Sequence, residues 1–247
     1  MENILKIRNL TVEVEGKAIL RNLDLDIAKD QNLILFGPNG SGKSTLMGAI
    51  MGFENYKVTS GSVEFTGQNI IGLNPDQRAR LGIGVMFQHP PKIRGIQLKH
   101  FIELLSDKSN NSEEKNSLIK TLNLGYLLDR DLNVDLSGGE IKRSELLQVL
   151  VQRPKLLLLD EPESGVDLEN IALMGKALNS YLEHHKLSAL IISHTGYILD
   201  YINTEYACVM LEGKVCCHDN PEKIFSEIKS VGYERCKDCR CRSGIKK

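Results

Sequence analysis

The feature that most constrains this chain is a glycine-rich run between a predicted strand and a predicted helix. Residues 37–45 read GPNGSGKST, which satisfies the pattern G-x-x-x-x-G-K-[ST] with one additional glycine. The apolar residues 32–36 have the length of a buried strand, and residues 44–51 favour a helix. This arrangement predicts a phosphate-binding loop, which we call the phosphate loop.

Each residue type in the phosphate loop suits a polyphosphate. Glycines at 37, 40 and 42 let the backbone curl closely, so that several N–H groups point at one anion. Lys43 supplies a cation, Ser44 supplies a hydroxyl for Mg²⁺, and the following helix directs its positive end at the same charge. The residues predicted to bind nucleotide are Gly37, Pro38, Asn39, Gly40, Ser41, Gly42, Lys43, Ser44 and Thr45.

Composition and charge exclude several classes of function. The chain has 247 residues, of which 41% are hydrophobic and 26% charged, with a formal net charge of −1. These values indicate a soluble globular protein without the basic excess that drives nucleic-acid binding. No apolar run approaches the roughly 20 residues of a membrane-spanning helix. Residues 1–3 lead into strand-like sequence without a signal peptide, so we expect a cytoplasmic protein with no nucleic-acid partner and no direct membrane insertion.

The first part of the chain has the patterns of short strands and helices. Apolar and polar residues alternate on either side of Glu15-Gly16-Lys17, which predicts an antiparallel hairpin, and Pro75 is expected to begin a helix. From His89 to about Val134 the pattern changes to amphipathic segments separated by a polar run, which predicts a helical insertion. The strands predicted before this insertion are residues 4–14, 18–27, 32–36, 61–66, 68–71 and 82–87.

Four polar features follow the phosphate loop. Gln88 follows the strand 82–87, and residues 136–140 (LSGGE) precede a helix for which Ser137 is the expected N-cap. Asp160 and Glu161 end the apolar strand 155–160, and His194 follows the strand 187–193. Alone, a carboxylate pair at a strand end is often a solvated turn, and a single histidine is often a surface residue. Their order after a phosphate loop favours one catalytic site.

This ordered set of motifs resembles the ATP-binding-cassette ATPases, over about residues 5–228. The resemblance is carried by GPNGSGKST, Gln88, LSGGE, LLLLDEP, residues 164–167 (SGVD) and His194. It implies an α/β fold with a mixed central sheet, an antiparallel β subdomain and a helical insertion subdomain. We therefore expect an ATPase domain over residues 1–230, with the helical subdomain at about 89–152, and a basic cysteine-containing tail over residues 231–247.

The resemblance also implies ATP hydrolysis and catalytic roles. Glu161 would be the general base that polarises the attacking water, His194 would contact the γ-phosphate, and Lys43 would act on the terminal phosphates. Ser44 and Gln88 would ligate Mg²⁺ directly or through water. Asp160 would interact with the ion indirectly, through its direct ligands. The implied cofactors are ATP and Mg²⁺.

A further implication is an ATP-driven homodimer. Ser137, Gly138 and Gly139 would complete the nucleotide site of a second copy in a head-to-tail arrangement, with Asp167 near the seam between the two copies. The paired glycines leave backbone N–H groups open at a helix start, which suits a second contact with phosphate.

Several segments resemble the SUF-type ATPases of iron–sulfur cluster assembly, the SufC family, more than transporter subunits. These include residues 87–95 (FQHPPKIRG) and the run after the LSGGE motif, where Lys142-Arg143 and an acid at 145 replace the glutamine-arginine run common in transporters. Residues 12–15 also lack the aromatic that stacks on adenine in many such ATPases. The resemblance implies a SufB/SufD-like scaffold protein as partner. The alternative is the nucleotide-binding subunit of an ABC membrane transporter.

All six cysteines lie between positions 208 and 241. Cys236, Cys239 and Cys241 form a C-x-x-C-x-C spacing that is not part of the usual family pattern. Three thiolates are one ligand short of a closed tetrahedral site, so a partner or a dimer mate would have to complete a metal or iron–sulfur site. One hypothesis is such a site, and the other is a basic tail with incidental thiols.

Overall fold

The computed structural model describes residues 2–106, 112–233 and 236. Its strands are β1 (Asn3–Val14), β2 (Lys17–Ala28), β3 (Asn32–Phe36), β4 (Lys57–Phe65), β5 (Gln68–Asn69), β6 (Ile83–Met86), β7 (Ile93–Gln97), β8 (Asp131–Leu132), β9 (Leu156–Asp160), β10 (Ser188–Ile192), β11 (Tyr206–Leu211) and β12 (Lys214–Asp219). Its α-helices are α1 (Lys43–Met51), α2 (Pro75–Leu81), α3 (Leu98–Ser106), α4 (Ser112–Thr121), α5 (Gly138–Leu150), α6 (Leu168–His185) and α7 (Pro221–Val231).

A mixed sheet with the strand order β12-β11-β3-β10-β9-β6 forms the centre of the fold. All neighbouring strands in it are parallel except β11 and β12, which form an antiparallel hairpin. Successive side chains of β3 point to opposite faces. Leu33 and Leu35 pack in a hydrophobic cluster with residues of β1, β2 and α1. Ile34 and Phe36 pack in a second cluster with residues of α5 and α6. Burial on both faces explains why these strands read as continuous apolar runs.

Four parallel strands of this sheet end at the same edge. Leu35 of β3 lies opposite Ile192 of β10, Ile192 lies opposite Asp160 of β9, and Leu159 lies opposite Met86 of β6. The loops that follow these strands therefore begin side by side, which is where ligands bind in open α/β sheets. They carry the phosphate loop, His194, Glu161 and Gln88.

An antiparallel sheet with the order β2-β1-β4-β5 packs on one side of the central sheet. The hairpin between β1 and β2 turns at Glu15 and Gly16, both of which have positive φ. The prediction of a strand beginning at residue 61 was wrong, because β4 begins at Lys57. Gly61 marks a bulge instead: its φ is 93°, and an added Cβ would lie 2.5 Å from the carbonyl oxygen of Arg8.

The segment after Gln88 combines helices with a small sheet. α3 and α4 occur where amphipathic segments were predicted, but residues 93–97 form β7 and pair with the two-residue strand β8. The sequence does not predict this ribbon, because β7 (IRGIQ) does not alternate strictly between apolar and polar residues and β8 has only two residues. Among the described residues, no helix is both long and apolar enough to span a membrane.

Candidate functional site

The phosphate loop depends on its three glycines. A Cβ at Gly37 would lie 2.5 Å from the carbonyl oxygen of Met210, on the neighbouring strand β11. Gly40 and Gly42 have φ angles of 78° and 109°, in the region where L side chains are strained. Space therefore requires glycine at position 37, and the backbone conformation favours it at positions 40 and 42.

Lys43 lies inside the curl of the phosphate loop. Its ammonium group is buried and donates hydrogen bonds to the carbonyl oxygens of Gly37 (2.7 Å) and Pro38 (3.0 Å). Burial lowers the pKa of Lys43, while the nearby carboxylates of Glu161 and Asp160 act in the opposite direction. The loop thus holds a cation close to the two acids at the end of β9.

Ser44 and Asp160 face each other across the edge of the sheet. Ser44 is exposed in the first turn of α1, and its Oγ donates a hydrogen bond to Oδ2 of Asp160 at 3.3 Å. Burial raises the pKa of Asp160, and the neighbouring carboxylate of Glu161 raises it further, whereas Ser44 lowers it. A hydroxyl and a carboxylate so placed are oxygen ligands of the kind that Mg²⁺ prefers.

Glu161 has an unusual backbone conformation and two side-chain partners. Its φ is +48°, which is uncommon for a glutamate, and its N–H donates to the carbonyl oxygen of Ile192 on β10. Oε2 accepts a hydrogen bond from Nε2 of Gln88 at 2.7 Å, and Oε1 lies 3.3 Å from Nδ1 of His194. The side chain of Glu161 is 9% exposed and that of His194 is 41% exposed. The fold thus holds the carboxylate where an amide and an imidazole converge.

Six predicted site residues are therefore brought together by direct contacts or short-range electrostatics. Ser44 contacts Asp160, Glu161 contacts both Gln88 and His194, and Lys43 interacts electrostatically with the two acids. These residues are Lys43, Ser44, Gln88, Asp160, Glu161 and His194.

The serine-glycine-glycine segment lies apart from this cluster. Ser137 caps α5 by accepting a hydrogen bond from the N–H of Glu140 (3.3 Å), and Oε2 of Glu140 accepts from the N–H of Ser137 (2.7 Å). Gly138 approaches the next loop so closely that an added Cβ would lie 2.6 Å from the carbonyl oxygen of Gly165. No hydrogen bond among the described residues links positions 137–139 to the phosphate loop of the same chain.

Asp167 caps the adjacent helix, α6. Its carboxylate accepts from the N–H of Asn170 (2.9 Å) and from the Asn170 side chain (2.6 Å). The backbone N–H of Asn170 contributes most to lowering the pKa of Asp167. A Cβ at Gly139 would lie 2.8 Å from Nδ2 of this asparagine. The starts of α5 and α6 are thus packed together on one surface.

Glu163, which no sequence motif singled out, links the Glu161 loop to the His194 loop. Oε1 of Glu163 accepts hydrogen bonds from the hydroxyl of Ser193 and, at 3.0 Å, from that of Thr195. Oγ of Ser193 in turn accepts from the N–H of Gly196 at 2.9 Å. Glu163 is buried, and burial raises its pKa. An acid two residues after Glu161 was visible in the sequence, but its partners were not.

Comparison with known proteins decides the family. A family model described as ABC transporter matches residues 20–164, which is more than half of the chain. The chain belongs to the ATP-binding-cassette family. Its fold is that of the family's ATPase cassettes, and membership implies ATP hydrolysis with ATP and Mg²⁺, as the order of motifs predicts.

Two curated relatives and one solved structure show how far this cassette ATPase resembles others. It is 39% identical over 245 residues to a protein of Escherichia coli (strain K12) described as a probable ATP-dependent transporter, SufC, covering 93% of this chain and 97% of the relative. It is 38% identical over 242 residues to a probable ABC transporter ATP-binding protein of Streptococcus pyogenes serotype M3, covering 94% of each. The structure of cbiO1 from Clostridium perfringens, part of an ABC transporter complex, is 26% identical with a TM-score of 0.75, covering 95% of this chain and 96% of that one.

The residues of this cassette ATPase fit a magnesium nucleotide. The buried Oγ of Ser41 has no hydrogen-bond partner among the described residues, and the Lys43 ammonium group is bonded only to loop carbonyls. Ser44 at the start of α1 and Asp160 at the end of β9 add two oxygen atoms that can ligate a metal ion. The hydroxyl of Ser41 and the ammonium group of Lys43 can bind phosphate, and the oxygen atoms of Ser44 and Asp160 suit Mg²⁺.

The C-terminal cysteine hypothesis receives no support from the described residues. Cys236 is 3% exposed and packs in the apolar core with Cys217, and burial raises its pKa. Cys239 and Cys241 lie outside the described residues. Within residues 2–106, 112–233 and 236, no group of three or more His, Cys, Asp or Glu side chains is placed to hold a metal ion.

Proposed function

We propose that Glu161 is the general base for ATP hydrolysis in this chain. The observation that carries the proposal is the convergence of Glu161, Gln88 and His194, with hydrogen-bonding distances of 2.7 Å and 3.3 Å, beside a buried lysine. The attacking water would give its proton to the carboxylate of Glu161. His194 would hold the water and the γ-phosphate oxygen in line.

The phosphate loop would bind the triphosphate before this step. Backbone N–H groups of residues 37–45 and the ammonium group of Lys43 would neutralise the phosphates. Ser44 and Gln88 would hold Mg²⁺, with Asp160 hydrogen-bonded to Ser44 behind them. Mg²⁺ when bound supplies positive charge that offsets the charge developing on the transferred phosphoryl group.

ATP binding would also bring two copies of the chain together. Ser137 and Gly138 are exposed at the start of α5, and among the described residues they form no hydrogen bond with the phosphate loop of their own chain. In a head-to-tail homodimer they would meet the triphosphate held by the other copy, with the exposed Asp167 close to the seam. Closure of the dimer would then change the conformation of a partner protein bound to it.

The partner we propose is a SufB/SufD-type scaffold protein on which an iron–sulfur cluster is assembled. This proposal is supported by the 39% identity, over almost the full length of both chains, to the relative named SufC. It is also supported by the Lys142-Arg143 pair and the acid at 145, where transporter subunits commonly have a glutamine-arginine run. The ATPase would remodel the scaffold through dimer closure.

An affinity capture under anaerobic conditions tests the choice of partner. Tagged chain carrying Glu161→Gln would be recovered with ATP and Mg²⁺, and wild-type chain with ADP would serve as the matched control. Recovery of a soluble scaffold whose cluster assembly requires ATP hydrolysis is the expected result. Recovery of membrane permease subunits without a soluble scaffold would contradict the proposal.

A transporter nucleotide-binding subunit is the second candidate function. It is favoured by the 38% identical relative named as an ABC transporter ATP-binding protein and by the 26% identical structure from a transporter complex. It predicts that the chain moves to the membrane fraction when it is coexpressed with its permease. Absence of that shift in every permease-containing strain would remove this candidate.

A further inference from the structure

Two charged side chains on α5 are buried against the strand end that precedes Gln88. Lys142 and Glu145 lie one turn apart on this helix, and each side chain is only 5% exposed. The Lys142 ammonium nitrogen is 3.9 Å from Oε2 of Glu145. Charged groups are rarely buried so completely unless they have specific partners.

Both groups bind the backbone of the same residue, Phe87. Oε1 of Glu145 accepts a hydrogen bond from the N–H of Phe87 at 2.7 Å. Nζ of Lys142 donates one to the carbonyl oxygen of Phe87, also at 2.7 Å. Phe87 follows β6 directly and has no place in the regular ladder of the sheet. Its backbone is therefore fixed by α5 rather than by a neighbouring strand.

Burial of the charged side chains of Lys142 and Glu145 is unfavourable for the stability of the fold. Burial raises the pKa of Glu145 to about 7, and Oε2 of Glu145 has no hydrogen-bond partner among the described residues. Burial likewise lowers the pKa of Lys142. Apolar residues of similar size often stabilise a core as well as or better than a buried ion pair. The pair is better explained by the geometry that it imposes on Phe87.

The residue that follows Phe87 is the one that reaches the site. The Gln88 side chain donates to Oε2 of Glu161 at 2.7 Å, so the path of the Phe87 backbone sets where this amide lies. We propose that Lys142 and Glu145 are positioning residues that clamp Phe87 and thereby hold Gln88 in place for Mg²⁺ and Glu161. The inference rests on the proposed role of Gln88 as a Mg²⁺ ligand, and it adds that α5 controls this ligand.

The clamp also connects two parts of the proposed mechanism. Ser137 begins the helix on which Lys142 and Glu145 lie. A movement of α5 when Ser137 meets nucleotide on a second copy would therefore be passed directly to Gln88. Phe87 is the single residue through which both hydrogen bonds act.

The Mg²⁺ dependence of ATPase activity tests this inference. Glu145→Leu and Lys142→Met each remove one hydrogen bond to Phe87, and we expect each to raise the Mg²⁺ concentration for half-maximal activity about tenfold or more, the usual effect of losing a group that orients a metal ligand. Nucleotide affinity measured in EDTA should stay within about twofold, because the phosphate loop is intact. Glu145→Gln keeps an acceptor for the Phe87 N–H and should restore most of the wild-type Mg²⁺ dependence.

Arg143→Met is the matched control on the same helix. Arg143 is also buried and donates to backbone carbonyls, but to those of Leu122 and Asn123, away from Phe87. It should reduce stability without changing the Mg²⁺ requirement. An unchanged Mg²⁺ requirement in Glu145→Leu and Lys142→Met, or a shift no larger than that of Arg143→Met, would overturn the inference.

A double-mutant cycle separates the clamp from general destabilisation. In a Gln88→Ala background, Glu145→Leu and Lys142→Met should have no further effect on the Mg²⁺ requirement, because they act through Gln88. Additive effects would contradict the clamp. Wild-type chain without Mg²⁺-dependent ATPase activity would instead contradict the proposed function, so the two failures are distinguishable.

Discussion

Gln88 donates a hydrogen bond from its side-chain amide to Oε2 of Glu161 at 2.7 Å, joining the end of β6 to the end of β9. The two residues are 73 positions apart in the chain and meet only because their strands are neighbours in the central sheet. This contact places the proposed Mg²⁺ ligand directly on the proposed base. The bond to Glu161 uses Nε2 of Gln88, so Oε1 of the same amide would be the atom that ligates Mg²⁺.

Lys43→Ala should weaken nucleotide binding itself. The ammonium group is held inside the phosphate loop by two carbonyl oxygens, and its loss removes a charged contact worth about 1.5 to 3 kcal/mol. We expect ATP affinity to fall by about tenfold to a hundredfold in calorimetric titration. Lys17→Ala, at the exposed start of β2, is the control and should bind as wild type. Equal affinity of the Lys43→Ala and wild-type chains would contradict the role of Lys43.

Glu163→Leu should slow hydrolysis without weakening ATP binding. It removes the acceptor that holds the hydroxyls of Ser193 and Thr195 on either side of His194. We expect kcat to fall by about tenfold or more, with KM and nucleotide affinity nearly unchanged. Glu163→Gln retains a carbonyl acceptor and should recover most of the rate. A proportional loss of kcat and affinity in Glu163→Leu would indicate general destabilisation instead.

Ser137→Ala and Glu140→Ala should separate helix capping from dimer formation. Both remove half of the reciprocal cap at the start of α5, so each should lower the free energy of unfolding by about 1 kcal/mol. Only Ser137→Ala should also weaken ATP-driven dimerisation, which we would measure by analytical ultracentrifugation in a Glu161→Gln background. Equal loss of dimer in both variants would show that helix order alone controls association.

The stability of the chain should fall as pH rises through the window set by Glu145. Burial raises the pKa of this carboxyl from 4.5 to about 7, so the folded state binds more protons than the unfolded state between these values. The free energy of unfolding should therefore decrease from about pH 4.5 to 7, by up to about 3 kcal/mol. Urea denaturation of wild type and Glu145→Gln at pH 5 and pH 8 measures this. The Glu145→Gln variant should lack this decrease in the free energy of unfolding. The same pH dependence in the variant and in wild type would contradict the prediction.

The central sheet and the site at its edge were predictable from the sequence. β3, β9 and β10 are buried on both faces, so each contains an unbroken run of four apolar residues. Parallel strands end at one edge, so the residues after them must converge. Lys43, Glu161 and His194 met for this reason. The capping role of Ser137 was predictable from the Ser-x-x-Glu spacing.

Other features depend on contacts that leave no local pattern. β7 pairs with a strand of only two residues, and Gly61 interrupts β4 as a bulge that resembles a strand boundary in the sequence. Glu145 binds the backbone of Phe87 across 58 positions. A hydrogen bond to a backbone group can form with almost any residue at that position. It therefore leaves no pattern in the sequence. The tail residues Cys239 and Cys241 lie outside the described part of the chain, so their role stays a prediction.

Single-turnover ATP hydrolysis by Glu161→Gln tests the central claim most directly. Wild-type and variant chains would each be saturated with ATP and Mg²⁺, and released phosphate would be measured alongside calorimetric ATP affinity. We predict that the hydrolysis rate falls by about 10² to 10⁴ while the affinity stays within about twofold, because the base is lost and the phosphate loop is unchanged. Hydrolysis at the wild-type rate in a folded, ATP-binding Glu161→Gln chain would contradict the account.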